Sequence, residues 1–446
     1  MRETRRQMSL YSFYDHTGIE GHLARMAEKG WLLCEIGQFF WHFQRIEPKK
    51  LTFCVCYFPK ATIYDPWPSE KQKEFYDLCA HAGWTLAGSS GQLQVFYNER
   101  ENPVPIDTDP VLEVDAIHQS AKKTFLLSNC LLLGVGVLNL MQFLWRLFDD
   151  PITTLSSALA LFSLVCWPVL ILMEVVDLAT YFLWRRRALR AAERGEFLDT
   201  KSHPVFQKLA LAAVLAGLAW CLSYLQDGLG GVMAVAVVGS VGLVAAVLGV
   251  RTLLKGAGMS AKANQRGTLA ACVALSILFV AAIPWFVVRG LSGRPEPRPE
   301  DLPLTVGDLM EADFDYSRTL VFNQSPLLAC LEARQSPWRH GEMKDAPSLD
   351  YIVVTAKLPA LYNLCRDRLL DEYDTRGAGF LPVKYFTPID PAPWGAREAY
   401  QFTMDGEPME IYLLCYPGRI VRIDLDWTPT PKQMALVGEK LGGGSY

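Results

Sequence analysis

The chain has 446 residues, half of them apolar and 20% charged, with a net charge of −4 and a mean hydropathy of +0.13. So mild a charge, with no extended Lys/Arg tract, argues against direct nucleic-acid binding. The apolar excess is confined to residues 125–288, which leaves a segment of domain size on either side. The basic start has no apolar run behind it, so it does not read as a cleaved signal peptide. Membrane insertion is then expected to be directed by the first spanning helix.

Residues 1–100 read as an α+β domain built on a repeat. Residues 23–30 and 75–83 each show helical spacing and end on glycine, Gly30 or Gly83, where a left-handed cap suits a residue without Cβ. Trp31 and Trp84 then open strands. A β-rich run precedes each helix, at 9–14 and 51–58, and an alternating stretch follows, at 39–45 and 93–98. A duplicated β-α-β-β unit is expected, folded into one antiparallel sheet with two helices on one face.

The order of helix, Lys29-Gly30-Trp31, the aromatic strand Phe39-Phe40-Trp41-His42-Phe43, then Tyr57-Phe58-Pro59-Lys60 and Ala82-Gly83-Trp84 resembles a bacterial domain of unknown function, number 2812. The resemblance covers roughly the first 120 residues. It implies a bacterial membrane protein whose domain precedes transmembrane helices. It also implies a PadR-type transcriptional regulator as genetic neighbour and candidate cytoplasmic partner. No activity is established for the family, so the resemblance implies no catalytic residues.

The dense aromatics predict a sheet core. The alternative is an apolar surface that presents Trp31, Trp41 and Trp84 to a peptide, a lipid or a partner helix. His16, His22, His42, His81 and His118 match no metal-ligand spacing. Cys54 and Cys56 share one face of a strand, where core packing is expected and metal or redox chemistry is the alternative; no Cys-x-x-Cys occurs. No cofactor or metal is implied. Residues 101–123, rich in Pro and acidic residues, read as an extended linker that ends at the membrane surface with Lys122-Lys123.

Residues 124–288 predict five spanning helices, 125–144, 159–182, 209–225, 232–250 and 269–288, since about 20 apolar residues cross a bilayer core. The loop after the second carries Arg185, Arg186, Arg187, Arg190, Arg194, Lys201 and Lys208, and that after the fourth Arg251, Lys255, Lys262 and Arg266. The loop after the first has only Arg146, and that after the third has none. This asymmetry puts the N-terminus and the two basic loops in the cytoplasm of a cell membrane protein, and an odd number of crossings puts the C-terminal domain outside. A tight turn is expected at 226–231. Ala212/Ala216 and Gly242/Ala246 suit close packing, either between the third and fourth helices or in a homodimer. Pro168 and Pro284 predict kinks. Glu174 and Asp177, one turn apart, are the candidate intramembrane polar groups, placed either at the cytoplasmic interface or in an ion or proton site.

A Pro-rich tether, 289–303, leads to a second α+β domain, 304–446. Strands are expected at 317–322, 351–355, 399–404, 410–415 and 420–425, with a turn at Asp405-Gly406 and helices at 359–372 and 432–441. Asp367, Asp371, Glu372 and Asp374 interleave with Arg366, Arg368 and Arg376, the pattern of a solvated helix face. Asp424 and Asp426 read as a strand surface. No nucleophile elbow, Ser-x-x-Lys or phosphate-binding loop is present, so no enzyme is expected. The fold class is therefore a multi-pass α-helical membrane protein with α+β soluble domains at both ends. The expected function is that of a sensor or regulatory protein that relays an envelope signal; the alternative is a transporter or transporter accessory that uses Glu174 and Asp177.

Overall fold

The computed structural model describes residues 3–8, 11–37, 40–200, 204–223, 229–292, 296–311, 316–339, 342–343, 346–372, 374–376 and 382–443. The chain forms two compact units. One gathers residues 1–139, 166–217 and 231–288; the other gathers 140–165, 218–230 and 289–446.

The first unit opens with β1 (Thr4–Met8), α1 (His16–Glu28), β2 (Trp31–Ile36) and β3 (Phe40–Arg45), followed by β4 (Thr52–Tyr57), α2 (Glu70–His81), β5 (Thr85–Ser90) and β6 (Leu93–Asn98). The order β-α-β-β thus occurs twice. The sheets run β1-β3-β2 and β4-β6-β5, each with its last strand in the centre. The expected single sheet is corrected to two of three strands. β2 and β5 lie close, and a Cβ added at Gly88 would sit 3.4 Å from Ile36 Cγ1, yet they belong to different sheets. Both carry a register shift at the same place relative to their tryptophans, Leu33/Glu35 and Leu86/Gly88. A bulge bends its strand and interrupts the ladder, which keeps two neighbouring edges from joining.

Gly30 and Gly83 close α1 and α2 at φ of +80° and +90°, as the glycine spacing predicts. The first strand differs from expectation. It is the basic segment Thr4–Met8, an edge strand, while residues 11–15 turn into α1. The linker is also corrected: α3 spans Pro110–Lys123. Asp109 accepts from Val111 N at 2.8 Å and Pro110 takes the first helical position, so the Asp-Pro pair read as extended chain is a helix start. Val114, Ile117 and Ala121 of α3 are buried against the same core as Ile19, Leu23, Leu33, Phe43 and Val95.

Five longer helices follow among the described residues: α4 (Phe125–Asp149), then, after the short α5 (Pro151–Ser156), α6 (Ala158–Ala192), α7 (Pro204–Ser223), α8 (Leu229–Gly256) and α9 (Ala261–Ser292). Among the described residues, four stretches are long and apolar enough to cross a membrane: Phe125–Asp149, Ala158–Ala192, Val238–Gly256 and Ala261–Ala282. The expected third span is represented by Phe206–Cys221, which is apolar but shorter. Residues 226–228 of the turn expected at 226–231 lie outside the described residues, and 229–231 open α8. Of the small residues at four-residue spacing on α7 and α8, Ala212, Ala213, Ala216, Gly242, Ala245 and Ala246 are exposed, while Gly217 and Gly249 are half-buried.

In the second unit, α10 (Val306–Leu309) precedes β7 (Ser317–Gln324) and β8 (Leu328–Ser336). A short pair, β9 (Trp338–Arg339) and β10 (Glu342–Met343), leads to β11 (Leu349–Ala356), α11 (Pro359–Asp371), β12 (Lys384–Ile389), β13 (Glu398–Met404), β14 (Glu407–Tyr416), β15 (Arg419–Leu425) and α12 (Pro431–Val437). Seven strands form one antiparallel sheet in the order β12-β13-β14-β15-β11-β8-β7. Asp405-Gly406 turns β13 into β14 with φ of +53° and +89°. On one face, Val306, Leu309, Trp394 and Val437 cover Tyr351, Tyr412 and Ile423. On the other, Cys365 and Leu369 of α11 join Ile152 and Leu155 of α5 over Val354, Leu413 and Ile420. Ser325 Oγ donates to Leu155 O at 2.6 Å, so the segment between α4 and α6 is built into this domain.

Candidate functional site

The densest constellation of polar side chains that joins separate elements lies in the first unit, where the start of α1 meets α3, α4, α6 and α7. It grows from Ser12, Tyr14, Asp15, His16 and Thr17. Ser12 Oγ donates to Asp177 Oδ1 at 2.5 Å. Gln207 Nε2 of α7 approaches Ser12 Oγ at 3.3 Å and Asp177 Oδ1 at 3.5 Å, and Asn129 Nδ2 of α4 approaches Asp177 Oδ2 at 3.5 Å. The first contact is strong and the longer three are weak. One carboxylate thus gathers the domain and three helices.

Asp177 lies 19 residues beyond the start of α6 at Ala158, about 29 Å along the helix and close to one hydrocarbon thickness. Glu174, one turn earlier, has a buried Oε2 with no hydrogen-bond partner. The two acids seen together in the sequence therefore part company here, since Asp177 alone is tied to the domain.

Tyr14 continues the joint. Its hydroxyl donates to Thr180 Oγ1 at 3.0 Å, and its ring packs on Phe125, Tyr181 and Trp184 at 5.8, 5.2 and 5.5 Å. Tyr14 and Tyr181 are fully buried. His118 Nδ1 of α3 lies 2.7 Å from Tyr181 Oη. Beyond α6, Thr200 Oγ1 donates to Asp15 Oδ1 at 2.8 Å, while Thr17 Oγ1 donates to Thr200 O at 2.9 Å. Asp15 also caps α1 by accepting from Gly18 N at 3.2 Å. The bonds that start α1 are thus the bonds that attach it to α6 and the loop behind it. Sequence reasoning missed Ser12, Tyr14 and Thr200, because short polar residues in a turn carry no periodic signal. The one legible hint was Asp15-x-x-Gly18 just ahead of an amphipathic helix.

A layer of titratable groups lies beside this joint. His16 Nε2 stands 3.2 Å from Glu113 Oε1, and Glu20 Oε1 accepts from Val55 N at 2.8 Å. Burial pushes Glu20 up to about 8 and Glu113 up to about 7, and it lowers His16. Asp107 is also raised by burial.

The other expected residues divide. Trp41 and Trp84 are buried, and Trp84 Nε1 donates to Val104 O at 2.9 Å, so the aromatic-surface reading is corrected for both: they are sheet core. Trp31 is half-buried, with Arg45 and Arg5 over its ring at 5.1 and 5.8 Å. Cys54 Sγ and Cys56 Sγ stand 3.6 Å apart, and Cys56 lies in a small core with Cys79 and Phe96. Burial raises the Cys79 thiol, which blunts its nucleophilicity. Among the described residues no three His, Cys, Asp or Glu side chains are placed to hold a metal ion.

The second unit has a cleft of about 410 Å³ across β7, β8, β11 and β15. Arg334 Nε donates to Asp350 Oδ2 at 2.7 Å, and Asp350 faces Asp424 across the strands. Asp426 Oδ2 accepts from Ser348 N at 2.7 Å. Near α11, Asp367 pairs with Arg366 at 2.9 Å and Glu372 with Arg422 at 3.3 Å. Asp350, Asp367, Glu372 and Asp426 are thus each engaged by a basic side chain or a backbone N–H.

The geometry of the joint can now be set beside known proteins. Residues 15–129 match the family model described as Protein of unknown function (DUF2812). No curated protein and no solved structure matches the chain. The DUF2812 match starts at Asp15, the cap of α1, and ends at Asn129 in α4, next to Asp177. It therefore takes in both helices of the repeat, α3 and the first turn of α4, but not the partners on α6, α7 and the loop at Thr200.

Proposed function

We propose that this is a non-enzymatic integral membrane protein that relays a signal from an extracytoplasmic domain to a cytoplasmic DUF2812 domain and its partner. The observation that carries the reading is the joint at Asp177. A shift or rotation of α6 must break or drag the bonds from Ser12 and Tyr14, in the turn that leads into α1, so it reaches the domain core directly. The orientation follows from the basic loops. It is supported by the way segments associate. The loop after α6 bonds the N-terminal domain through Thr200, and the start of α9 does so through Asn264 Nδ2, which donates to Tyr64 O at 3.1 Å. The segment between α4 and α6 bonds the C-terminal domain through Leu155. These three associations support the five-crossing reading. The two β-α-β-β units, with equivalent bulges, are read as a duplication.

A bacterial strain carrying Asp177→Ala tests the relay. The expected result is normal membrane abundance with loss of the transcriptional response of a neighbouring PadR-type regulator to envelope stress. An unchanged response, both in this strain and in a gene deletion, sinks the reading.

A second reading, a transporter or transporter accessory, is favoured by the buried, unpartnered Glu174 Oε2 next to Asp177. A Glu174→Gln, Asp177→Asn double variant that keeps full activity excludes it.

A further inference from the structure

We propose that residues 59–68 form a membrane-surface anchor that seats Trp67 and Ile63 among anionic lipid headgroups beneath the DUF2812 domain. The inference rests on the membrane reading above and on nothing about signalling. This loop connects β4 to α2 and is fastened at two points to the ends of the long helices. Lys123 Nζ, just before α4, donates to Pro59 O at 2.9 Å. Asn264 Nδ2, on α9, donates to Tyr64 O and approaches Arg251 O of α8 at 3.4 Å. A segment pinned to the starts of α4 and α9 and the end of α8 lies at the level where those helices leave the bilayer.

The loop has one shape. Thr62 N donates to Asp65 Oδ2 at 2.5 Å, Asp65 N to Thr62 O at 3.2 Å, and Tyr64 N to Thr62 Oγ1 at 3.3 Å. A Cβ at Gly91 would stand 2.9 Å from Ile63 Cγ2, so the β5–β6 turn backs the loop directly. Pro66 and Pro68 flank Trp67 and restrict its backbone, which lowers the entropy cost of holding a large ring outward. Trp67 is 72% exposed, against 4% for Trp84 in the core. Ile63, in the same loop, is 36% exposed. An indole so held out of a folded loop, at the end of apolar helices, is what a membrane–water interface accepts, because the ring is apolar and its N–H is wet.

The charge chooses the lipid. Trp67 and Lys255 line the same small cleft. The facing ends of α8 and α9 supply Arg251, Lys255, Lys262 and Arg266, with no acidic residue from 251 to 266; Lys60 lies in the loop itself and Lys123 at the end of α3. The single nearby acid in the loop, Asp65, is engaged in its turn. Each basic side chain close to an anionic surface contributes about 1 kcal/mol.

The test places a photo-cross-linking amino acid at position 67 of the full chain in lipid nanodiscs. Position 241, an exposed valine on α8, and position 78, a leucine 69% exposed on α2, serve as references. In discs containing phosphatidylglycerol, positions 67 and 241 are expected to label lipid and position 78 not to. In discs of phosphatidylcholine alone, labelling at 67 is expected to fall by about fivefold or more, the factor that one basic residue supplies at such a surface. Equal labelling at 67 in both discs overturns the anionic preference. Labelling of lipid at 241 but not at 67, or of protein alone at 67, overturns the anchor and leaves the membrane reading intact. Labelling at neither overturns both.

Discussion

Asp177 and Ser12 are bound by a hydrogen bond to a carboxylate, a class worth about 1.5–3 kcal/mol. Ser12→Ala leaves the Oδ1 side with only the longer approach from Gln207. We expect Ser12→Ala to raise hydrogen exchange at the start of α1 while membrane abundance holds, whereas Asp177→Asn, which can still accept from Ser12, changes it less. No change in either variant would remove the Ser12–Asp177 bond from the joint. The neighbouring acids set a pH dependence. Glu20 rises from 4.5 to about 8 and Glu113 from 4.5 to about 7, so the native domain holds these protons more tightly than the unfolded chain. Their contribution is complete below 4.5 and is lost as pH rises through the folded values. His16, lowered from 6.5, acts in the opposite sense, and only below its ordinary value. Thermal stability is therefore expected to fall from about pH 6 to about pH 9, and Glu20→Gln to flatten that fall and raise Tm at high pH by at least about 4 °C. A fall of the same slope in the variant would clear Glu20 of the effect.

At the scale of elements, the two halves of the domain share their order and bulges but differ at the helix closures. Both closing glycines are left-handed, where a side chain costs about 1–2 kcal/mol. A Cβ at Gly30 would meet Ile46 O at 2.9 Å, while at Gly83 the nearest atom is Asn98 Nδ2 at 3.4 Å. Gly30→Ala is thus expected to lower Tm more than Gly83→Ala; the reverse order would deny that the first half is the tighter one. α3 depends on a side chain for its start. Asp109→Ala should cost about 1 kcal/mol, read as fraying in amide exchange ahead of α4. The helices, closing glycines and second hairpin of this domain were legible because apolar spacing and Gly-Trp pairs are local. α3 was hidden because proline was read as a spacer when it occupies a helix's first turn. β8 was missed because Ala, Cys, Glu and Arg in its run hide its alternation. β12 was missed because Pro388 argues against a strand, and such a residue is tolerated only at an edge, where β12 sits.

For the whole molecule, the proposed topology makes a sharp demand on its ends. Reporter fusions at Met1, within α5 and at Tyr446 are expected to report the cytoplasm for the first and the opposite side for the other two. A shared compartment for Met1 and Tyr446 would remove the relay and leave only an accessory role for the C-terminal sheet. The C-terminal domain carries a charged cleft across β7, β8, β11 and β15, in which Arg334 donates to Asp350.

Composition alone determined that a long apolar block divides two polar domains, because transfer of apolar side chains from water is additive and needs no knowledge of neighbours. Local spacing determined most helices and the repeat, since propensity and capping act within a few residues. Only the tertiary structure decided that Asp177 belongs to the domain joint while Glu174 does not, that Trp41 and Trp84 are core while Trp67 is not, and that the repeat forms two sheets. Each of these turns on residues tens to hundreds of positions apart, and on whether a polar atom or an aromatic ring finds a partner once the chain has folded back on itself.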